Sequence, residues 1–252
     1  MSWVLKKAGK TLPFLSSMII LIAAWWLLSL GLKSPAVPPP PEALNSLWHS
    51  MQGDLPAHLA VSLYRILISL FLATVMAVPL GLILGNNPKM DTGAAPLIYL
   101  TYPIPKVVFM PILLILLGIG DVSKIVLITL VAFYQILVTT RDAAKNLDKE
   151  YVISVRSLGA SSWDLYRHVY LPGCLPSILT SLRLGLGIAM AVLFLAETYA
   201  TQKGIGFFIL NSMSRMNYEE MFAGIIAMGL MGFFLYLVLD LAEKKLCAWM
   251  RV

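Results

Sequence analysis

The sequence has little charge and almost no cysteine. Only 13% of its 252 residues are Asp, Glu, Lys or Arg, whereas 59% are hydrophobic. Soluble domains have about 25% charged residues. The two cysteines, Cys174 and Cys247, are isolated and have the spacing of neither a metal site nor a disulfide framework, so we expect small apolar fillers. Because a soluble protein this apolar would expose large patches and aggregate, the composition indicates an integral membrane protein.

Motifs for catalysis and for nucleic-acid binding are also absent. The histidines, His49, His58 and His168, are scattered, and no Ser-His-Asp or paired-carboxylate arrangement supports a membrane enzyme. The net charge of +6 comes without a basic stripe interleaved with aromatic residues, so no nucleic-acid partner is expected. Gly9-Lys10-Thr11 ends like a Walker A motif, but Val4 stands where the first glycine belongs. We therefore expect no ATP, cofactor or metal site in this chain.

Six segments are apolar enough to cross a membrane as helices, for which about 20 residues are needed. They cover residues 14–32, 58–84, 99–119, 124–140, 173–198 and 222–241. The predicted fold is all-α, with the whole chain 1–252 forming one transmembrane domain. It comprises an N-terminal helix and outer segment at 1–57 and a helical core at 58–252. The first span follows three lysines as a signal peptide would, but its long apolar run and the lack of a clear cleavage site favour a retained anchor.

The distribution of lysine and arginine predicts the orientation. With the N-terminus inside, twelve basic residues lie in cytoplasmic segments and four in outer segments, a bias that predicts six spans with both termini in the cytoplasm. The inner set is Lys6, Lys7, Lys10, Lys89, Arg141, Lys145, Lys149, Arg156, Arg167, Lys244, Lys245 and Arg251. The outer set is Lys33, Lys124, Lys203 and Arg215. We place Arg65, Lys106 and Arg183 near span ends and do not count them.

Two spans have features beyond hydrophobicity. The second has a row of small residues at every fourth position, which lets helix backbones approach closely where lipid removes the hydrophobic drive for association. The row consists of Ala73, Ala77, Gly81 and Gly85. The third span contains Pro103, Pro105 and Pro111, and these free backbone groups that neighbours or water must satisfy. This predicts a broken or kinked helix that faces protein or a pathway rather than lipid.

The segment 141–172, between the fourth and fifth spans, is too polar to cross and too patterned for a slack loop. Residues 150–158 are predicted to form one short helix, and Gly159 a tight turn with little room for a side chain. A second short helix is predicted to begin at Ser161, with Asp164 in a weaker form of capping box, and to end at Pro172. Apolar residues recur at helical spacing, Val152, Val155 and Leu158 in the first helix and Trp163, Tyr166, Val169 and Tyr170 in the second.

This helix pair has two open interpretations. It rests on lipid headgroups, or it sets its apolar residues into a groove on a soluble partner. Its sequence resembles the EAA loop of permease subunits of bacterial ABC importers, in which Glu-Ala-Ala precedes Gly-Ala and a later hydrophobic-Leu-Pro. Gly159-Ala160 and Leu171-Pro172 match that pattern, with Tyr166-Arg167-His168-Val169 between them and Pro176 beyond. Ile153-Ser154-Val155 stand in place of Glu-Ala-Ala, so the acid of the motif is absent.

The rest of the chain resembles the nitrate, sulfonate and taurine branch of that family. The matching residues are Pro38 to Pro41, Ser62-Leu63-Tyr64-Arg65, Pro103-Ile104-Pro105, Gly118-Ile119-Gly120, Leu182-Arg183, Ala196-Glu197 and Gly204-Ile205-Gly206. The resemblance implies a type I ABC importer permease fold with two short cytoplasmic coupling helices, in the bacterial inner membrane. It also implies a permease homodimer, two cytoplasmic ATPase subunits that bind ATP and Mg, and an extracytoplasmic binding protein that delivers a small anion such as a sulfonate, taurine or nitrate.

The same resemblance assigns candidate site residues. Those expected to couple to the ATPase are Val155, Arg156, Leu158, Gly159, Ala160, Trp163, Tyr166, Arg167, Leu171 and Pro172. Those proposed for the pathway or a gate are Tyr102, Lys106, Gln135, Glu197 and Phe207. Glu197 lies at the outer end of the fifth span, where we expect water to reach it, and both a structural role, such as pairing with Arg65, and a substrate role stay open. The segment 198–221 is either re-entrant or lies on the membrane surface.

The alternative function is a secondary transporter or channel without an ATPase. Ion-coupled carriers usually place several ionisable groups within the membrane, and many contain inverted repeats. The sequence shows one candidate acid and no obvious internal repeat. It therefore favours an importer permease that is not itself an enzyme and is driven by ATP hydrolysis on a separate subunit.

Overall fold

The described part of the chain is helical and contains no strand, which confirms the all-α class. The computed structural model describes the backbone of residues 2–251 and the side chains of residues 16–249. The helices are α1 (Ser2–Leu32), α2 (Pro40–Met51), α3 (Leu55–Asn86), α4 (Pro88–Thr101), α5 (Met110–Leu117), α6 (Asp121–Lys145), α7 (Lys149–Ser157), α8 (Ser162–Glu197), α9 (Ile205–Ser214) and α10 (Tyr218–Leu246). A 3₁₀ turn, Lys106–Phe109, precedes α5.

Four helices, α3, α6, α8 and α10, are long and apolar enough to cross a membrane. α4 and α5 together form a fifth candidate span, bent by 77° at the break between them. The described apolar part of α1, Ser16–Leu32, is shorter and mostly exposed, so a sixth crossing stays a prediction. The side chains of Lys6, Lys7 and Lys10, on which part of the orientation rests, lie outside the described residues.

Helices α3 and α6 form the most extensive helix pair of the described bundle, and the row of small residues lies in their interface. Ala73 and Ala77 are fully buried. A Cβ atom added to Gly81 would lie 2.7 Å from Cβ of Thr140, and one added to Gly85 would lie 2.6 Å from Cβ of Ala144. The predicted packing role of the row is confirmed, because no larger residue fits at the glycines.

The third span is broken, as its prolines predict. It begins at Pro88, earlier than residue 99, and stops at Thr101, after which residues 102–105 turn the chain before the 3₁₀ turn and α5. The early start has a local cause, since the Asn87 side chain accepts from the backbone N–H groups of Lys89 and Met90 at 3.1 and 3.3 Å and caps α4. Pro88 occupies the first turn, where its missing N–H costs nothing.

One end of the bundle holds Glu197 and the start of α6, and we call it the Glu197 end; the other, the Arg141 end, holds the segment 141–172. At the Arg141 end α6 extends five residues beyond the predicted Thr140, to Lys145. The Asp91 carboxylate on α4 pairs with the buried Arg141 and, at 2.9 Å, with Lys145 Nζ. These ion pairs hold two basic residues that the sequence analysis placed in the cytoplasmic set.

Of the two short helices predicted for segment 141–172, the structure confirms the first and extends the second. α7 spans Lys149–Ser157, and Gly159 then turns the chain with a φ of +83°, a conformation that favours glycine. The expectation of little room at Gly159 is wrong, since an added Cβ would meet no atom within 4 Å. Ser161 caps the next helix, and its capping box with Asp164 is confirmed in both directions.

The second helix does not end at Pro172; it continues through the fifth span to Glu197. Residues Tyr166–Tyr170 form a π-helical turn in which the Leu171 N–H donates to the Tyr166 carbonyl. Such a turn absorbs the interruption that a proline would otherwise make in the hydrogen-bond ladder. α8 therefore contains both the second predicted short helix and the fifth span.

Substituting a glycine of the α3–α6 interface should destabilise the protein. Gly85→Ala places a methyl group against Ala144 and the α6 backbone, and such overpacking costs about 1–3 kcal/mol. Gly187→Ala is the matched control, because nothing lies within 4 Å of its Cβ and alanine favours the helix. Thermal unfolding of the purified protein in detergent should show a lower Tm for Gly85→Ala alone. Equal Tm values for both variants would contradict the tight interface.

Candidate functional site

A cavity of about 310 Å³ lies where the third span is broken, between residues 102–107, α6 and α8. Its wall is apolar except for four side chains, those of Tyr102, Lys106, Tyr134 and Gln135. On α8 the cavity borders Gly185, whose added Cβ would approach only Gln135 Cγ, at 3.9 Å. Broken helices that end beside a cavity inside the bundle are a recurring feature of transporter solute sites.

Lys106 is the one charged side chain among the described residues that line this cavity. Its buried ammonium donates to the carbonyls of Thr101 at 2.5 Å and Tyr102 at 2.8 Å. Those carbonyls are at the end of α4, where no further helical N–H can reach them. The ammonium also lies 4.2 Å from the centre of the Tyr134 ring, within cation–π distance. Lys106 therefore caps the broken helix and keeps a positive charge at the cavity wall.

The remaining polar groups are joined by hydrogen bonds. The Tyr134 hydroxyl donates to Thr101 Oγ1 at 2.9 Å, and the Tyr102 hydroxyl lies 3.4 Å from Gln135 Oε1. Three of the five proposed pathway residues, Tyr102, Lys106 and Gln135, thus meet in one cavity. Tyr134 was missed, although an aromatic residue directly before a glutamine inside a span is a recognisable signal.

Glu197 belongs to a different site. It is 0% exposed at the Glu197 end. Its carboxylate accepts from Arg65 Nη1 at 2.7 Å, from Ser62 Oγ at 2.8 Å and from the Gly206 N–H at 2.9 Å. The pairing with Arg65 is confirmed, and the expectation that water reaches Glu197 is wrong. The reason is the chain that follows α8, which folds back and covers the end of that helix.

Arg65 connects Glu197 to the start of α6. Its guanidinium, 2% exposed, donates to Asp121 Oδ1 through Nε at 2.9 Å and Nη2 at 2.6 Å, and to the Lys203 carbonyl through Nη1 at 2.9 Å. Lys124, counted by sequence as an outer basic residue, is fully buried and donates to the Gly120 carbonyl at 3.0 Å. Two cations and two carboxylates therefore share this site, which is neutral overall.

Backbone N–H groups of the segment after α8 donate hydrogen bonds to side chains of α3. Gly204 N–H donates to His58 Nδ1 at 3.1 Å, and Ile205 N–H donates to Ser62 Oγ at 2.8 Å. Gly204 has a φ of +119°, and an added Cβ would collide with the Glu197 carboxylate. Phe207, the fifth proposed pathway residue, stacks on His58 with ring centres 5.8 Å apart. Neither Glu197 nor Phe207 lines the cavity at the helix break.

Arg183 was placed near a span end by sequence, but it lies well inside α8. It forms an ion pair with Glu243 of α10, and its guanidinium is 3.8 Å from the Asp240 carboxylate. It also lies 5.4 Å from the centre of the Tyr236 ring. Sequence reasoning missed these acids because they follow the predicted end of the sixth span or lie at its edge.

The residues proposed for coupling lie at the Arg141 end, and several project from it. Leu158 is 87% exposed and Trp163 71% exposed, with Tyr151 and Ile153 also exposed nearby. The other exposed members of the proposed set are Arg156, Gly159, Arg167 and Leu171, and the half-buried ones are Val155, Ala160, Tyr166 and Pro172. The predicted stripe of the second helix is divided, because Val169 and Tyr170 are buried in the bundle whereas Trp163 points away.

Comparison with known proteins identifies the family to which this architecture belongs. Residues 77–252 match the sequence profile of the binding-protein-dependent transport system inner membrane component family. The chain belongs to this family. It is 33% identical over 243 residues to the taurine transport system permease protein TauC of Escherichia coli K12, covering 93% of this chain and 88% of that one. It is 30% identical over 254 residues to the aliphatic sulfonates transport permease protein SsuC of the same strain, covering 98% and 93%.

The fold is also similar to a solved transporter. A chain of the MetNI methionine ABC transporter, in a crystal form described as inward facing, superposes with a TM-score of 0.68 and 17% identity. The match covers 78% of this chain and 98% of that chain. This protein is therefore a multi-pass membrane permease of the ABC importer type, as its motifs predict.

Neutralising Glu197 should destabilise the permease. Glu197→Gln leaves excess positive charge in a buried site, and breaking a buried ion pair costs about 3–5 kcal/mol. Arg215→Gln is the matched control at the same end, because Arg215 pairs with Glu220 at 2.7 Å on the exposed surface, where a pair contributes about 0–1 kcal/mol. Thermal unfolding in detergent should show a large fall in Tm for the first variant and a small one for the second. Similar small falls would contradict a tightly coupled buried cluster.

Proposed function

We propose that this permease passes a small organic sulfonate, such as taurine, or a related small anion across the bacterial inner membrane through the cavity at the helix break. The observation that carries the proposal is Lys106, the one charged side chain among the described residues of the cavity wall. Two of the three ammonium N–H groups are used by carbonyls, which leaves one donor for an anion. The names of the taurine and sulfonate relatives support the same solute class.

In this proposal, the energy for transport comes from a separate ATPase that binds the docking segment, residues 149–172. The exposed Leu158 and Trp163 provide apolar groups for a groove on such a partner. The capping box at Ser161 and the glycine turn at Gly159 hold these side chains on a defined scaffold rather than a slack loop. This favours protein docking over an interfacial helix pair, because Leu158 projects from one side of the Gly159 turn and Trp163 from the other.

The remaining partners follow from the family. We propose two copies of the permease, a pair of ATPase subunits that bind ATP and Mg, and an extracytoplasmic binding protein that supplies the solute. In this arrangement the Arg141 end and both termini face the cytoplasm, and α1 is a sixth span in contact with lipid. The predominance of exposed apolar side chains on Ser16–Leu32 supports that position for α1.

The complex, reconstituted in proteoliposomes with the binding protein outside, tests the solute and the energy source together. Uptake of radiolabelled taurine should require ATP and the binding protein, and unlabelled alkanesulfonates should compete with it. Nitrate and methionine serve as competitors of different chemistry. Uptake that needs neither ATP nor the ATPase would support the alternative, a secondary transporter or channel.

Filling the cavity should block transport without disturbing assembly. Gly185→Leu places an isobutyl group in the 310 Å³ cavity, where the added Cβ has only Gln135 nearby. Gly187→Leu, two residues further along α8, is the matched control, because Gly187 is exposed and does not line the cavity. We expect ATP-driven uptake to fall at least about tenfold for Gly185→Leu, the loss of about 1.4 kcal/mol of transition-state stabilisation. Equal uptake by the two variants would place the pathway elsewhere.

Charges on the docking segment should release the ATPase. Leu158→Asp and Trp163→Asp change exposed side chains, so the permease should stay folded while capture of the ATPase on an affinity resin falls. Leu44→Asp and Trp48→Asp are the matched controls, since both residues are exposed on α2 in the outer segment. Gly159→Asp should act like the first pair, because its φ of +83° strains any side chain. Normal capture by the docking-segment variants would argue for the lipid-surface interpretation.

A further inference from the structure

Asn86, the last residue of α3, connects this span to the docking segment. Its Nδ2 donates to the Tyr166 hydroxyl at 3.1 Å, and the Tyr170 hydroxyl donates to its Oδ1. The two tyrosine rings pack against each other with centres 5.5 Å apart, and Tyr170 is buried. Both halves of one amide are therefore used to hold two residues of the same helical turn.

That turn is the π-helical one, Tyr166–Tyr170, at the junction between the docking segment and the fifth span. π-Helical turns are rare and are frequently found at functional sites. Here the turn bears the two hydroxyl groups that reach Asn86. Three residues further on, Gly173 packs against Leu147 in the turn between α6 and α7, with an added Cβ at 2.7 Å from Leu147 Cδ1. The first part of α8 is thus held against both α3 and the α6–α7 turn.

From Asn86 the chain continues directly into α4. Asn87 caps α4, and Asp91 in its first turn is paired with Arg141 and Lys145. The 14 residues of α4 extend about 20 Å. Its last carbonyl, that of Thr101, is one of the two that hold Lys106 at the cavity. A displacement at Asn86 therefore reaches the cavity wall through one short, continuous helix.

We propose that Asn86 is the positioning residue that transmits movement of the docking segment to α4 and so to the cavity. It does not line the cavity and lies outside the docking segment, whose Tyr166 and Tyr170 are its two partners, and it acts through their hydroxyl groups. The inference rests on the proposed function, namely ATPase docking on residues 149–172. Physical continuity alone does not demonstrate coupling, so the test measures coupling directly.

Three variants isolate the two hydrogen bonds. Asn86→Leu keeps a side chain of similar size and removes both. The double variant Tyr166→Phe/Tyr170→Phe keeps both rings and removes the same bonds from the other side. Asn86→Asp retains two acceptors, and each hydroxyl can donate to one of them. Tyr64→Phe, which removes an exposed hydroxyl of α3 outside the docking segment and the cavity, is the matched control.

The readout is the reactivity of Ile188→Cys, introduced into every variant. Ile188 lines the cavity, and the native cysteines are buried. In the assembled complex, the rate at which a hydrophilic maleimide labels this cysteine is measured with and without ATP and vanadate. We expect nucleotide to change the rate about fivefold or more in the parent, Asn86→Asp and Tyr64→Phe proteins. It should change less than twofold in Asn86→Leu and in the double phenylalanine variant, while Asn86→Leu still captures the ATPase.

Combining Asn86→Leu with the two phenylalanines should add no further loss, because all three changes remove the same pair of bonds. A parent-like nucleotide response in Asn86→Leu would overturn the proposal. Loss of ATPase capture in that variant would overturn it as well, since Asn86 would then shape the docking surface rather than transmit its movement. A parent complex that neither assembles nor responds to nucleotide would refute the proposed function itself, and the role of Asn86 with it.

Discussion

Hydrocarbon offers no hydrogen-bond partner, so every backbone group freed by a helix break must find one inside the protein. In the described residues, helices are interrupted between α4 and α5 and between α8 and α9, and polar side chains meet the requirement at both places. Lys106 takes the carbonyls at the end of α4. At the Glu197 end, the freed N–H groups of residues 204–206 are taken by His58, Ser62 and Glu197. Supplying hydrogen-bond partners to freed backbone groups is therefore the first role of these interior polar residues.

The same constraint separates the charges that hold the structure from the one proposed to bind the solute. Arg65, Asp121, Lys124 and Glu197 neutralise one another at the Glu197 end, where Arg65 also donates to the Lys203 carbonyl and Lys124 to the Gly120 carbonyl. A solute would have to break that network to use any of them. Lys106 differs, because it lies at the cavity with part of its ammonium against an aromatic face rather than against a carboxylate. One uncompensated cation in an apolar cavity favours anions.

Much of this was predictable from sequence, because apolar length, small-residue spacing and prolines are local signals. They indicated the apolar core of the spans, the close-packing row on α3 and a break in the third span. The errors have distant and local causes. The α6 end depends on Asp91, 54 residues before Lys145, so no window along the chain contains both partners. The burial of Glu197 depends on residues 203–206, and the continuity of α8 past Pro172 depends on a π-helical turn. These contacts are close in sequence, but neither apolar length nor residue spacing indicates that the chain folds back or that a π-helical turn forms.

Differences in packing distinguish a locked core from a loosely held helix. α3 and α6 are locked by glycines that admit no side chain, and the neutral ion cluster joins them to the end of α8. α4 is held far less tightly, since Asp91 and Ile98 are its buried residues, and the cavity lining begins at Tyr102, directly after its last residue. α4 begins directly after its N-cap residue, Asn87, and ends at a 77° bend, which no helical hydrogen bond has to cross. A short rigid helix between two such ends can change its tilt without disturbing the α3–α6–α8 core, which is the geometry that hinge-type transitions require.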